Sequence, residues 1–180
     1  DGTYTYVDTI IYSGFTKTGA VDGNSSRDTK WDMNLNLTAL LEKGSENGGI
    51  DEISDNWFDQ TGGWNHLYAP NAIDPNLFFD ASGEKLYMSY GSWSGGLFLL
   101  ELDPATGEAI YPGVDSTDEP GNFVDRYFGV HLAGGNHQSG EAPYIQYDPE
   151  TGYYYLYETY GGLTAEGGYN MRLFRSEIRP

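Results

Sequence analysis

The feature that most restricts the fold of this chain is an internal repeat of about 70 residues. Residues 74–103, DPNLFFDASGEKLYMSYGSWSGGLFLLELD, align with residues 142–176, APYIQYDPETGYYYLYETYGGLTAEGGYNMRLFRS. Pro75 falls on Pro143, Asp80 on Asp148, LYMSYG at 86–91 on LYETYG at 156–161, and GGLFLLELD at 95–103 on GGYNMRLFRS at 167–176. Each copy carries three short runs rich in aromatic and apolar residues: PNLFF, KLYMSYG and GLFLLEL, then PYIQY, YYYLYETYG and YNMRLFRS. Turn chemistry joins the first two runs of each copy (DASGE, DPETG), and a glycine-rich loop joins the second pair.

Three hairpin-connected strands with room for a fourth describe the blade of a β-propeller. YFGVHLA at 127–133 supplies the fourth strand of the first copy. The expected division is a single all-β propeller domain: residues 1–13 a closing strand of an earlier blade, 14–70 an inter-blade insertion, 71–133 one complete blade, and 134–180 the inner strands of the next. LNLTALLEKG at 35–44 reads as a short helix stopped by Gly44. A β-sandwich is the competing architecture, but it gives no reason for two copies to match in register through three strands. Two and a half copies do not close a ring of at least four blades. The remaining blades are therefore expected from another segment or chain.

Composition limits the partners. Twenty-seven acids against nine bases give a net charge of −18, which repels nucleic acid and anionic membrane and suits a neutral ligand. No apolar run approaches a membrane span. With no cysteine, disulfides and thiol chemistry are excluded. Aromatic residues are 16% of the chain, with 16 tyrosines. Such side chains pack on sheet surfaces and also stack on sugar faces.

The repeat puts two acids in neighbouring positions. Asp74 and Glu141 each stand just before the matched prolines, where the first strand of each copy begins. Innermost strands of a propeller surround its channel, so these carboxylates are expected at one mouth of it. Converging carboxylates beside aromatic residues are the equipment of glycoside hydrolysis, in which one acid protonates the departing oxygen. The alternative is that both acids cap strand ends. His66, His131 and His137 lack metal-ligand spacing. His131 reads as a strand residue, whereas His66 and His137 lie in loops near the two acids, within reach of a substrate. DGNSSRD at 22–28 has spaced oxygen donors but lacks the twelfth-position Glu of an EF-hand.

The motifs NAIDPNLFFD, LYMSYGSWSGGLFLLELDPATG and SGEAPYIQYDPETGYYYLYETYGG, in that order, resemble those of the glycoside hydrolase family 43 arabinanases. The resemblance implies a five-bladed β-propeller, of which this chain would supply two to two and a half blades, and cleavage of α-1,5-linked L-arabinan with inversion. By the same resemblance Glu141 matches the general acid, and Asp74 matches the aspartate that orients that acid and tunes its proton affinity. Asn71, Ser92 and Trp93 fall in segments that line the family's substrate cleft. The family's general base is an aspartate on the first blade, and no segment here matches that motif. A calcium ion near the propeller axis is implied too, with its ligands mainly outside this chain and no metal ligand assigned within it. The implied location is secreted or extracytoplasmic, with no signal peptide visible at Asp1. A related β-xylosidase or α-L-arabinofuranosidase, and a propeller that binds glycan without cutting it, are the competing functions.

Overall fold

The computed structural model describes residues 2–5, 7, 9–17, 53–118, 121–162 and 167–176. The helix expected at 35–44 and the loop at 22–28 lie outside the described residues. After a short 3-10 turn at Asp55–Trp57 come ten strands: β1 (Asn76–Phe79), β2 (Leu86–Tyr90), β3 (Leu97–Leu102), β4 (Ala109–Ile110), β5 (Ser116–Thr117), β6 (Phe123–Asp125), β7 (Gly129–Ala133), β8 (Glu141–Asp148), β9 (Tyr153–Gly161) and β10 (Tyr169–Ser176). They make two antiparallel sheets. The first runs β1-β2-β3-β7-β6-β5, with β4 also paired to β3; the second runs β8-β9-β10.

The two copies of the repeat fold alike because the same residue types solve the same local problems. In the β1–β2 turn the Asp80 carboxylate accepts hydrogen bonds from the Ser82 hydroxyl and the amides of Glu84 and Lys85. In the β8–β9 turn Asp148 accepts from the Glu150 amide and the Thr151 hydroxyl. An aspartate that closes its own turn in this way explains its place in both copies. The glycines that end β2 and β9 are equally constrained. Gly91 (φ 114°) and Gly161 (φ 130°) adopt backbone that L side chains avoid, and a Cβ would lie 2.3 Å from the Gly96 carbonyl oxygen in one case and 1.9 Å from that of Gly168 in the other.

Alternation along β2 and β3 sends side chains to two apolar faces. Tyr87 and Leu99 meet Ile145 and Tyr154 of the second sheet. Met88, Tyr90, Phe98, Leu100 and Leu102 face the other way, against Ile11, Phe15, Trp57, Phe58 and Trp64. Each fully buried side chain in such a core contributes roughly 1.5–3 kcal/mol. Polar bonds between the sheets set their relative position. The Ile145 amide donates to Asn76 Oδ1 at 2.9 Å, the Ala81 amide to Tyr154 Oη at 2.8 Å, and Ser89 Oγ to the Pro143 carbonyl at 3.3 Å. Two sheets stacked with their first strands adjacent are packed as neighbouring propeller blades.

The described residues of 1–13, expected to close an earlier blade, form no strand within this chain. At the outer edge of the first sheet β6 pairs β7 and β5 pairs β6. Residues 10–15 cross the sheet face instead, where Tyr111 Oη donates to the Ile10 carbonyl (2.6 Å) and the Tyr12 amide donates to Tyr127 Oη (3.0 Å). Within the segment expected as one blade, residues 109–125 contribute the short strands β4 to β6.

Hydrogen bonds from Ser82 and then from the Lys85 and Glu84 amides hold the Asp80 carboxyl down at about 2. The Thr151 hydroxyl chiefly lowers Asp148 as well. A folded-state value below the unfolded one of about 3.9 means stability that is present above pH 4 and lost as pH falls through the folded value. Denaturant titrations at successive pH values should show part of the stability disappearing between about pH 4 and pH 2. Asp80→Asn should be less stable at neutral pH and lose less across that window; an unchanged slope would remove the assignment.

Candidate active site

The loops at one end of the sheets are joined mostly by backbone. The Gly91 amide donates to the Ile73 carbonyl at 2.9 Å, Ser92 forms a bridge with Glu141, and the Trp93 amide donates to the Gly140 carbonyl at 2.8 Å. The two residues Gly91 and Ser92 are thus bonded to the backbone before Asp74 on one side and to Glu141 itself on the other. Asp74 and Glu141, far apart in sequence, come to adjacent positions at one end of the two first strands.

The predicted lining residues gather at this corner. Asn71 Nδ2 donates to the Ser92 carbonyl at 2.8 Å. Ser94 Oγ lies 3.3 Å from Asn71 Oδ1 and 3.0 Å from His66 Nδ1. The His137 amide donates to the Ser94 carbonyl at 2.8 Å, and its ring centroid stands 6.1 Å from that of His66 and 5.8 Å from that of Trp93. Asn71, Ser92, Trp93, His66 and His137 therefore share one site. His131 is elsewhere: its ring stacks on Phe123 with centroids 4.5 Å apart and meets Phe98 edge-on. Burial lowers its proton affinity, against bonds to the Gly134 and Gly95 backbone. It is a strand residue, as its place in YFGVHLA indicates.

Backbone strain is concentrated here. The described non-glycine residues with positive φ are Asp74 (56°), Trp93 (47°), Ser94 (35°), Asn136 (50°), His137 (58°) and Ala142 (54°). All lie in the loops just described or beside the two acids. Such conformations cost roughly 1–3 kcal/mol each and persist where the surroundings over-determine them. The surroundings are visible at Gly95, whose amide donates to the Ala69 carbonyl at 3.0 Å. A Cβ there would lie 2.0 Å from the Tyr68 carbonyl oxygen.

Two further carboxylate contacts escaped the sequence reading. Tyr169 on β10 stands beside Glu141, opposite Gly161 in the register; its hydroxyl is pushed up by desolvation and then by that carboxylate. Glu158 is 4% exposed and lies against Gly140, 3.2 Å from where a Cβ would stand. Burial raises its carboxyl, and Arg172 across the strand pair draws it partly back. The pairing of LYETYG with LYMSYG was the available signal, because it aligns Glu158 with Met88, which is also buried, on the matched strand. Among the described residues no three His, Asp or Glu side chains converge as metal ligands. These residues by themselves do not fit a calcium site.

Gly91→Ala places a Cβ against the Gly96 carbonyl and should cost several kcal/mol, whereas Gly83→Ala, also at positive φ but in open space, should cost about 1–2 kcal/mol. Denaturant midpoints compare the two directly. Equal costs would mean that close backbone approach does not fix this corner.

No family model matches the chain. It is 50% identical over 108 residues to the extracellular endo-α-(1→5)-L-arabinanase 2 of Bacillus subtilis strain 168, a match covering 60% of this chain and 20% of the relative. Among solved structures it is similar to the endo-1,5-α-L-arabinanase of Thermotoga petrophila RKU-1, with a TM-score of 0.52 and 45% identity over 64% of this chain and 22% of that one. It is similar also to the glycoside hydrolase family 43 YxiA protein of Bacillus licheniformis, with a TM-score of 0.53 and 43% identity over 71% of this chain and 26% of that one. The chain thus spans about a fifth of the length of the curated relatives it matches. Over the matched residues it is similar to these arabinanases, and the all-β, five-bladed propeller expected from the resemblance agrees with these neighbours.

Proposed function

We propose that this chain is part of a secreted glycoside hydrolase that cleaves α-1,5-linked L-arabinan, acting within the polymer as its named relatives do. The observation that carries this reading is the corner at Gly91 and Ser92, whose bonds bring Asp74 and Glu141 together beside Trp93 and two imidazoles. Glu141 acts as general acid and protonates the oxygen of the departing sugar. Tyr169, beside Glu141 in the strand register, limits the directions in which the proton can be offered. Asp74 orients the acid, and its negative charge favours the protonated form of its neighbour. A third carboxylate, the general base that activates water for inversion, lies outside the residues assigned here. So do the ligands of any calcium ion near the axis, which when bound would supply fixed positive charge.

The net charge of −18 fits this reading, because arabinan is uncharged and needs no electrostatic capture. The remaining blades would cover the outward face of the second sheet. Tyr144 (51% exposed), Met171 (75%) and Leu173 (56%) there form an apolar surface larger than isolated side chains usually leave in water.

Glu141→Gln in the complete enzyme keeps the shape of the side chain and removes its proton. Hydrolysis of linear arabinan should fall by about 10²–10⁴, with a much smaller loss on an aryl arabinoside whose leaving group departs unaided. Ordinary activity on arabinan would show that Glu141 is not the acid. A wild-type protein that cleaves nitrophenyl xyloside and spares arabinan would transfer the site to a xylosidase, and binding of arabinan without cleavage would make it a lectin-like propeller. Asp74→Asn should both lower the rate and move the alkaline limb of the profile to lower pH, since the charge favouring a proton on its neighbour is gone. A profile reduced in height but unmoved would restrict Asp74 to orientation.

A further inference from the structure

We propose that Ser94 is a specificity-determining positioning residue: it fixes the ring and the tautomer of His66 so that Nε2 offers a bare lone pair to a hydroxyl of the bound sugar. The inference rests on the carbohydrate reading above for the identity of the ligand, and on a hydrogen-bond chain for everything else.

The chain runs from a backbone carbonyl outward. The Ser92 carbonyl can only accept, so the Asn71 atom 2.8 Å from it must be the amide nitrogen. That places Asn71 Oδ1, an acceptor, 3.3 Å from Ser94 Oγ. The serine has one hydroxyl hydrogen, and it goes to Asn71. The remaining partner of Ser94 Oγ, His66 Nδ1 at 3.0 Å, must then be the donor. The reverse arrangement would set two acceptors face to face at Asn71 or at Ser92. In its neutral form His66 therefore carries its proton on Nδ1 and leaves Nε2 bare.

The direction of that lone pair follows from burial. Ser94 is 1% exposed and anchors the inner edge of the ring, while His66 itself is exposed. The opposite edge is turned outward, on the side shared with His137 and Trp93. An imidazole acceptor beside an indole face recognises a sugar hydroxyl: the indole takes the C–H face of the ring and Nε2 takes the O–H. The positive φ of Ser94 (35°) is consistent with a residue kept in place for its hydroxyl.

The test uses the complete enzyme labelled with ¹⁵N in histidine. Imidazole nitrogen shifts distinguish a protonated from a bare nitrogen. The wild-type protein should show His66 protonated at Nδ1, with the Nε2 signal moving on addition of arabinotriose. Ser94→Ala should scramble the tautomer, and Ser94→Gly, which removes the hydroxyl without strain at this φ, provides a second variant should alanine disturb the loop. Each should raise KM about fivefold and leave kcat within about twofold. His66→Asn keeps an amide donor toward Ser94 but has no counterpart of Nε2, and should raise KM similarly. Combining it with Ser94→Gly should add little, because both act through one contact. Full additivity, or a wild-type His66 with its proton on Nε2, overturns the proposal. If the enzyme does not cleave arabinan at all, the function fails separately, and the tautomer and the non-additivity, read from arabinotriose titration instead of kinetics, still decide the role of Ser94.

Discussion

The position of the site depends on one buried carboxylate remote from it. Asp125, fully excluded from solvent, accepts from Trp57 Nε1 at 2.8 Å, Tyr68 Oη at 2.9 Å, and the amides of Tyr127 and Phe128 at 2.9 Å each. Burial still raises its proton affinity, with the four donors acting against it. The amide bonds shape the turn between β6 and β7, and the side-chain bonds pull two distant aromatics onto it. Trp57 then seats against Tyr127, Phe128 and Phe15. Tyr68 stacks on Phe123 with centroids 5.3 Å apart. In this way a segment with almost no regular structure, residues 53–70, is fixed to the sheet. Removing one partner of such a network leaves the others buried and unpaired, which is why it behaves as a unit.

From that anchor the constraint passes by contact to the chemistry. Tyr68 and Ala69 present their carbonyls to Gly95, closely enough that only glycine fits. Gly95 and Gly96 close the turn that holds Trp93 and Ser94 at positive φ. The turn in turn fixes the amides that bond Gly140 and the carbonyl that receives His137. Strain at the site is thus opposed by packing at the sheet. The division of labour is physical: aromatic burial supplies the free energy, and backbone contacts too tight for a Cβ convert it into position.

What could be read from the sequence follows the same division. Turns were legible, because Asp80, Asp148, Gly91 and Gly161 recur at fixed offsets and each answers a local requirement. The two acids were legible through the repeat, since equivalent positions on successive sheets must lie side by side. Residues 9–13 were not. Their composition resembles a strand, but whether a strand forms depends on a partner edge, which for a strand closing an earlier blade does not come from the first sheet, whose own outer edge is made by β5 and β6. Asp125 was hidden among 27 acids, with nothing local to mark it as the one that collects four donors. Trp57, Phe58 and Trp64 lie in the segment expected as an insertion, yet they form a core beneath loops, where tertiary packing decides. Tyr169 reaches Glu141 only because register sets it opposite Gly161, two residues beyond the Thr159 that pairs with Glu141.

That last register has a consequence for how the site is completed. Residues paired across β8, β9 and β10 alternate between two faces, and Glu141, Thr159 and Tyr169 lie on the face turned away from the first sheet. The same face carries Tyr144, Met171 and Leu173, largely in solvent. Glu141, the proposed acid, thus stands beside an exposed apolar part of this chain. Desolvation around Glu141 therefore depends on what packs on that face, and inversion requires a second carboxylate across the bound sugar, roughly 6.5–9.5 Å away. On the proposed reading, a further sheet docking on the second as the second docks on the first would cover this face, with apolar rows interdigitating and a few polar side chains fixing the first strands in line. On the proposed reading, the surface that binds the next blade and the surface that carries the acid are one surface, which ties desolvation of the site to packing of the ring.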